Sequence, residues 1–206
     1  AMAGCAEYME CVGASRSLFA VIASPLKMIK SPYILLVLGF FVSQFLVLFI
    51  PSHAGLGLLL MVTMYPIFIR AGVSKLSALG VIGCAQYIDV GPGSGNAIMA
   101  AKIANLDPAI YFVQYQLPIF LTTTLVLGVV HYFVQQWWDK KEGFTGSDLS
   151  CENLTEEEEH PPLIYAILPI IPMIFILGFS PLLKSTIKMD VVTAMFLSTF
   201  IGSVVG

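Results

Sequence analysis

Charge is scarce in this sequence. Only 11% of its 206 residues are charged, whereas 57% are hydrophobic and the mean hydropathy is +0.86. A typical soluble domain has about 25% charged residues. This chain therefore has too few charged residues to cover the surface of a soluble fold. The same scarcity excludes a nucleic-acid-binding protein and a disordered chain. The four cysteines are spaced too irregularly for a disulfide framework or a zinc motif.

The few charges are unevenly distributed. Ten of the 23 lie in residues 139–160, which hold eight acids and two lysines and therefore carry a charge of −6. The other 184 residues contain only 13 charges, which is typical of an integral membrane protein. We therefore predict an all-α, polytopic membrane protein with an acidic cytoplasmic loop at residues 139–160. No nucleic-acid partner is expected, and the environment of the chain is membrane lipid.

A re-entrant helical hairpin is predicted for residues 32–69. Residues 31–52 contain no charge and are long enough to span a bilayer, but Pro51, Gly55 and Gly57 then interrupt the helical pattern. The next apolar run, residues 58–69, would rise only about 18 Å, short of a hydrocarbon core of about 30 Å. A hairpin also places seven of the ten Lys and Arg residues on the inner side.

A discontinuous helix is predicted for residues 76–101. Its middle, residues 89–96, reads Asp-Val-Gly-Pro-Gly-Ser-Gly-Asn, and three glycines with a proline cannot remain helical. Such broken helices form binding sites in secondary transporters. Residues 1–138 are therefore assigned to one transmembrane region that contains the hairpin and the broken helix, and residues 161–206 to the start of a second, truncated transmembrane region.

The two breaks supply the polar groups at membrane depth. Freed carbonyls and hydroxyls suit a hard cation, and half-helix N-termini suit a carboxylate. The candidate substrate- and ion-binding residues are Ser52, His53, Gly91, Pro92, Gly93, Ser94, Gly95 and Asn96. Asp89 is the candidate for proton or ion coupling, because an acid within a membrane span is a functional candidate.

Simpler explanations remain open for these residues. Both breaks would also suit ordinary inter-helix loops at the membrane surface. Asp89 would then cap a helix at the rim of a cavity, and His53 would satisfy backbone groups at a helix break. No enzyme motif such as HExxH or GxSxG is present, so we expect neither an enzyme with catalytic residues nor a metal or organic cofactor.

A family resemblance rests on the order of these motifs. The stretch PSHAGLGLLLMVTMYPIFIRAGVSKLSALGVIGCAQYIDVGPGSGNAIMAA, with SPYILL before it and WWDKKE and YAILPIIP after it, resembles the anaerobic C4-dicarboxylate carriers of the DcuC group in the ion transporter superfamily. The resemblance implies a multi-pass bacterial inner-membrane carrier for succinate, fumarate and malate that works by symport or antiport. It also implies two inverted halves, of which this chain holds one.

The resemblance implies that the coupling ion would be Na⁺ or H⁺. Related sodium-coupled carriers have a Ser-Asn-Thr hairpin tip, whereas this chain reads Ser52-His53-Ala54 and retains only the serine. The second break keeps the proline, a hydroxyl and Asn96. The alternative to a carrier is a non-transporting remnant of a truncated or split gene, which would work only with a second chain. A second chain or a homodimer is therefore a candidate partner.

Overall fold

All regular secondary structure in the described part of the computed structural model is helical. The described residues are 13–23, 26, 31–50, 52–85, 87–143, 166–179 and 191–205. No strand occurs in these ranges. Pro51, most of the acidic loop (residues 144–160), and residues 161–165 and 180–190 of the last predicted region lie outside them.

The first three helices form the centre of the largest apolar core. They are α1 (Ala14–Ala23), α2 (Pro32–Val47) and α3 (His53–Arg70). Helices α2 and α3 are an antiparallel pair, since Gly39 lies against the ring of Phe68 and the Ser43 hydroxyl lies 3.6 Å from Met64 Sδ. A side chain at position 39 would overlap Phe68, so glycine allows the two helices to approach closely.

Helix α3 begins earlier than the sequence predicts. Its N-cap is Ser52, whose hydroxyl accepts a hydrogen bond from the Gly55 amide at 3.2 Å, and this cap allows helix to form directly after it. Gly55 and Gly57 therefore lie inside the helix, not in a turn. With 18 residues, α3 is long and apolar enough to cross a membrane. The argument for a hairpin from a 12-residue run is therefore wrong, and the re-entrant path stays a prediction.

Two short helices follow, separated by a non-helical segment. They are α4 (Lys75–Cys84) and α5 (Gly95–Ile103). The hydroxyls of Ser74 and Ser94 accept hydrogen bonds from backbone amides and cap their N-termini. In the segment between them, Gly91 has φ +134°, a conformation in which any other residue would be strained. The described residues of this segment, 85 and 87–94, are called the break segment below.

The longest helix is α6 (Pro108–Glu142), with 35 residues. It contains one π-helical stretch, Phe112–Gln116, and ends at Gly143, which is left-handed with φ +67°. Its last turn includes Asp139, which the sequence analysis placed in a solvated acidic loop. That boundary is wrong, because Asp139 is only 3% exposed and accepts hydrogen bonds from Ser74 and Ser77.

Two further helices complete the described part of the chain. They are α7 (Ile170–Gly178) and α8 (Val191–Val205), which pack against each other. By length and composition, α3 and α6 are the two described helices able to cross a membrane. Helix α6 exposes a row of large apolar side chains, namely Leu121, Leu125, Val129, Phe133 and Trp137. Such exposure fits contact with lipid or with further apolar protein surface.

Candidate functional site

The break segment contains a local turn, and two of its glycines lie close to other elements of the structure. The Ser94 amide donates to the Gly91 carbonyl at 3.1 Å, which closes a tight turn before α5. A Cβ on Gly91 would lie 3.5 Å from the Leu48 carbonyl oxygen at the end of α2. A Cβ on Gly93 would lie 2.9 Å from Met195 Cε of α8. The segment thus runs close to two other elements, and larger residues at Gly93 would displace Met195.

The start of α3 meets the break segment at His53 and Asp89. Nε2 of His53 lies 3.8 Å from Oδ1 of Asp89, beyond ordinary hydrogen-bond distance but close enough for an electrostatic interaction. Both side chains are partly exposed, at 36% and 27%. The two segments that the sequence analysis treated as separate sources of polar groups therefore lie together.

Asn96 supplies the third member of this cluster. Its Nδ2 donates a hydrogen bond of 2.7 Å to Oδ2 of Asp89. One N–H of the Asn96 amide, which the sequence marks as a candidate for ligand binding, is therefore used in a bond to the carboxylate. Asn96 in this structure orients Asp89, because the turn at Gly91–Ser94 brings the start of α5 back toward the start of the break segment.

A small cavity, partly open to solvent, lies beside this cluster. Six of the nine predicted site residues line it, namely His53, Asp89, Gly91, Pro92, Gly93 and Ser94. Ser52, Gly95 and Asn96 do not line it. Ser52 instead caps α3, and Gly95 is the first residue of α5.

The remaining walls of the cavity are mostly apolar. They come from the end of α2, from the start of α7 and from Met195. Among the described residues that line the cavity, Asp89 is the one acid and His53 is the one side chain that can become cationic. Ser94 contributes a hydroxyl beside the N-terminus of α5, where backbone amides favour an anion. The cavity therefore combines an acid that repels an anion with a helix end that attracts one.

Sequence reasoning missed one buried polar residue beside the site. Gln44 in α2 is 2% exposed, and its Nε2 donates to the carbonyls of Ala85 at 2.8 Å and Cys84 at 3.4 Å. It is the only amide side chain in the charge-free residues 31–52. A polar side chain in a membrane span is a functional signal, so its isolation in that run was the available clue.

Comparisons with known proteins identify the family. The model of the C4-dicarboxylate anaerobic carrier family, DcuC, matches residues 1–206. This chain belongs to that family. It is 34% identical over 204 residues to the probable anaerobic C4-dicarboxylate transporter DcuC of Vibrio cholerae, and 30% identical over 203 residues to the anaerobic C4-dicarboxylate transporter DcuC of Escherichia coli. No solved structure matches.

The matches cover different shares of this chain and of its relatives. They span 99% and 98% of this chain but only 44% and 43% of the two relatives. The chain therefore spans less than half the length of the curated relatives that it matches. With two helices able to cross a membrane and membership of a carrier family, the protein is a membrane protein.

Proposed function

We propose that this chain contributes one half of a secondary carrier that moves C4-dicarboxylates such as succinate, fumarate and malate across the bacterial inner membrane. The observation that carries the proposal is the approach of His53 to Asp89 beside the cavity, in a chain of the DcuC family. The carrier would work by alternating access around this site. Transport of an unaltered diacid needs no catalytic residue, so the proposed protein is not an enzyme.

The N-terminus of α5 would bind one substrate carboxylate. Ser94 lines the cavity and lies at this helix end, and a helix N-terminus carries about half a positive charge. Gly93 and Gly91 let backbone groups approach the ligand without side chains in the way. The apolar walls would accept the two middle carbons of the diacid. The second carboxylate would be bound by groups from the other half of the carrier.

Asp89 would couple substrate binding to a cation. A dianion and an ionised Asp89 beside it repel each other. Binding of H⁺ or Na⁺ removes this repulsion, so that cation and diacid bind together. Asn96 would hold the Asp89 carboxyl group in place through its 2.7 Å hydrogen bond, and His53 would add positive charge when protonated.

Binding of succinate to the purified full-length protein tests this proposal. We expect Ser94→Ala to weaken binding about tenfold, because it removes the hydroxyl and the cap at the helix end that receives the carboxylate. Asn96→Ala is expected to weaken the dependence of binding on Na⁺ or on pH. Thr122→Ala is a matched control, since its hydroxyl bonds within its own helix at an exposed position of α6. Normal binding by both site variants would refute the proposed site.

Length gives a second test. The 206-residue chain alone is expected to show no net succinate flux in liposomes, because its relatives are more than twice as long. Co-reconstitution with a chain that supplies the remaining length is expected to produce flux. Flux from this chain alone, or from a homodimer of it, would contradict the need for a second half.

A further inference from the structure

We infer that Gln44 is a positioning residue that holds the end of α4, and with it the break segment, against α2. The inference deepens the proposed function and rests on it for its consequence in transport. Gln44 touches no cavity wall itself. Its role would be to fix the position of the start of the break segment, and thereby the positions of the residues of that segment that line the cavity.

The hydrogen bonds of Gln44 join two helices at a helix end. The last carbonyls of α4 have no partner within the helix, and Gln44 Nε2 donates to two of the carbonyls there, those of Cys84 and Ala85. These two residues are separated from Gln44 by about 40 positions in the sequence. A side chain of α2 therefore takes the place of water at the end of α4.

The spacing along α2 extends this contact to the cavity. Leu48 lies four residues after Gln44, on the same side of the helix. Its carbonyl oxygen faces Gly91, and its side chain lines the cavity. One side of α2 therefore contacts the break segment at its start and again at its middle turn. A displacement of the contact at Gln44 would therefore also displace the contact between Leu48 and Gly91.

The amide of Gln44 acts through its N–H donor and not through its carbonyl oxygen. Its Oε1 is buried and has no hydrogen-bond partner, and an unpaired buried acceptor is destabilising. A leucine or methionine at this site would avoid that cost and would still pack in the apolar core. The presence of an amide therefore indicates that the two carbonyls at the end of α4 need a donor.

Amide hydrogen exchange of the purified protein tests the inference without any measurement of transport. In Gln44→Met, we expect the last turn of α4 (residues 81–85) and the Ser94 amide to exchange about tenfold faster, since the donor is lost. Exchange within α3 is expected to stay unchanged. Ser43→Ala is the matched control, because the neighbouring buried hydroxyl donates to the Gly39 carbonyl at 2.8 Å and lies near Met64 of α3, and neither partner belongs to α4.

A second variant separates the donor from a general loss of structure. Gln44→Glu places a carboxyl group at the same position, which donates a hydrogen bond only when protonated. We expect exchange near the original rate at pH 5 and about tenfold faster at pH 9, after correction with the α3 peptides. Exchange in Gln44→Glu at pH 5 that is as fast as in Gln44→Met would contradict the role of the donor.

The outcomes distinguish this inference from the proposed function. Slow exchange in Gln44→Met, equal to that of the unchanged protein, overturns the positioning role whatever the transport result. Faster exchange in Gln44→Met with no succinate binding by the unchanged protein supports the positioning role and refutes the proposed substrate. If both hold, succinate binding is expected to weaken about tenfold in Gln44→Met and to recover at pH 5 in Gln44→Glu.

Discussion

Asp89 and Asp139 occupy similar positions relative to a helix, but Asp89 is partly exposed to solvent whereas Asp139 is buried. Each lies near the N-terminus of a short helix, Asp89 before α5 and Asp139 beside Ser74, the cap of α4. Asp139 is 3% exposed and accepts two serine hydroxyls, at 2.7 and 2.9 Å. Asp89 is 27% exposed, has one amide donor and lies on a cavity wall.

The difference separates a structural acid from one suited to binding. The Asp139 carboxylate is satisfied inside the protein, where it connects the end of α6 to the start of α4. The Asp89 carboxylate is held on one oxygen by Asn96, and its other oxygen lies toward His53 and the cavity. An incoming cation can therefore reach Asp89 but not Asp139. The following substitutions test this contrast.

The largest expected effect is on coupling in Asp89→Asn. The variant removes the charge that repels a dianion, so succinate binding at pH 8 is expected to strengthen about tenfold. Binding is expected to lose its dependence on Na⁺ or H⁺, and accumulation of succinate against a gradient in proteoliposomes is expected to stop. Asp107→Asn is the control, since Asp107 caps the start of α6 outside the cavity. Continued accumulation in Asp89→Asn would contradict the coupling role.

The next effect is on stability in Asp139→Ala. This change leaves the hydroxyls of Ser74 and Ser77 without their acceptor in a buried place, which costs about 3 kcal/mol. Thermal unfolding in detergent is expected to show this loss, whereas Asp89→Ala is expected to change stability by less than about 1 kcal/mol. Equal losses in the two variants would remove the distinction between the acids.

A smaller effect is expected at the two serine caps. Ser52→Ala and Ser94→Ala each remove a hydroxyl that accepts an amide at the start of a helix, so each is expected to cost about 1 kcal/mol of stability. Only Ser94 lines the cavity. Succinate titration is therefore expected to show weaker binding in Ser94→Ala and unchanged binding in Ser52→Ala. Equal binding defects would indicate an indirect effect through helix capping.

Local features of this fold were accessible from the sequence, because they depend on neighbouring residues. Gly91 and Pro92 cannot continue a helix, and the structure ends α4 and begins α5 on either side of them. The start of α3 was misplaced although a signal existed, since Ser52 precedes an apolar run and serine is a common N-cap. Gly55 and Gly57 disfavour a helix locally, but the cap at Ser52 and the apolar residues that follow are sufficient to form one.

Contacts between distant segments were not accessible in the same way. Asp139 is buried because α6 brings it to two serines more than 60 positions earlier, and its sequence neighbours indicated only a solvated acidic run. His53 and Asp89 were both candidates, but their approach depends on how the start of α3 packs on the break segment. Hydrophobic patterning predicts which residues are apolar and where helices end, but not which polar side chains meet.

The smallest expected effect is at His53. Its Nε2 lies 3.8 Å from Asp89 and both groups are partly exposed, so their attraction is worth at most about 1 kcal/mol. His53→Gln is therefore expected to weaken succinate binding only about threefold. Titration of the variant and of the unchanged protein with succinate measures this. A loss of about tenfold or more in His53→Gln would mean that His53 contacts the substrate directly. The cluster would then contain two binding residues where the structure indicates one acid with two supporting neighbours.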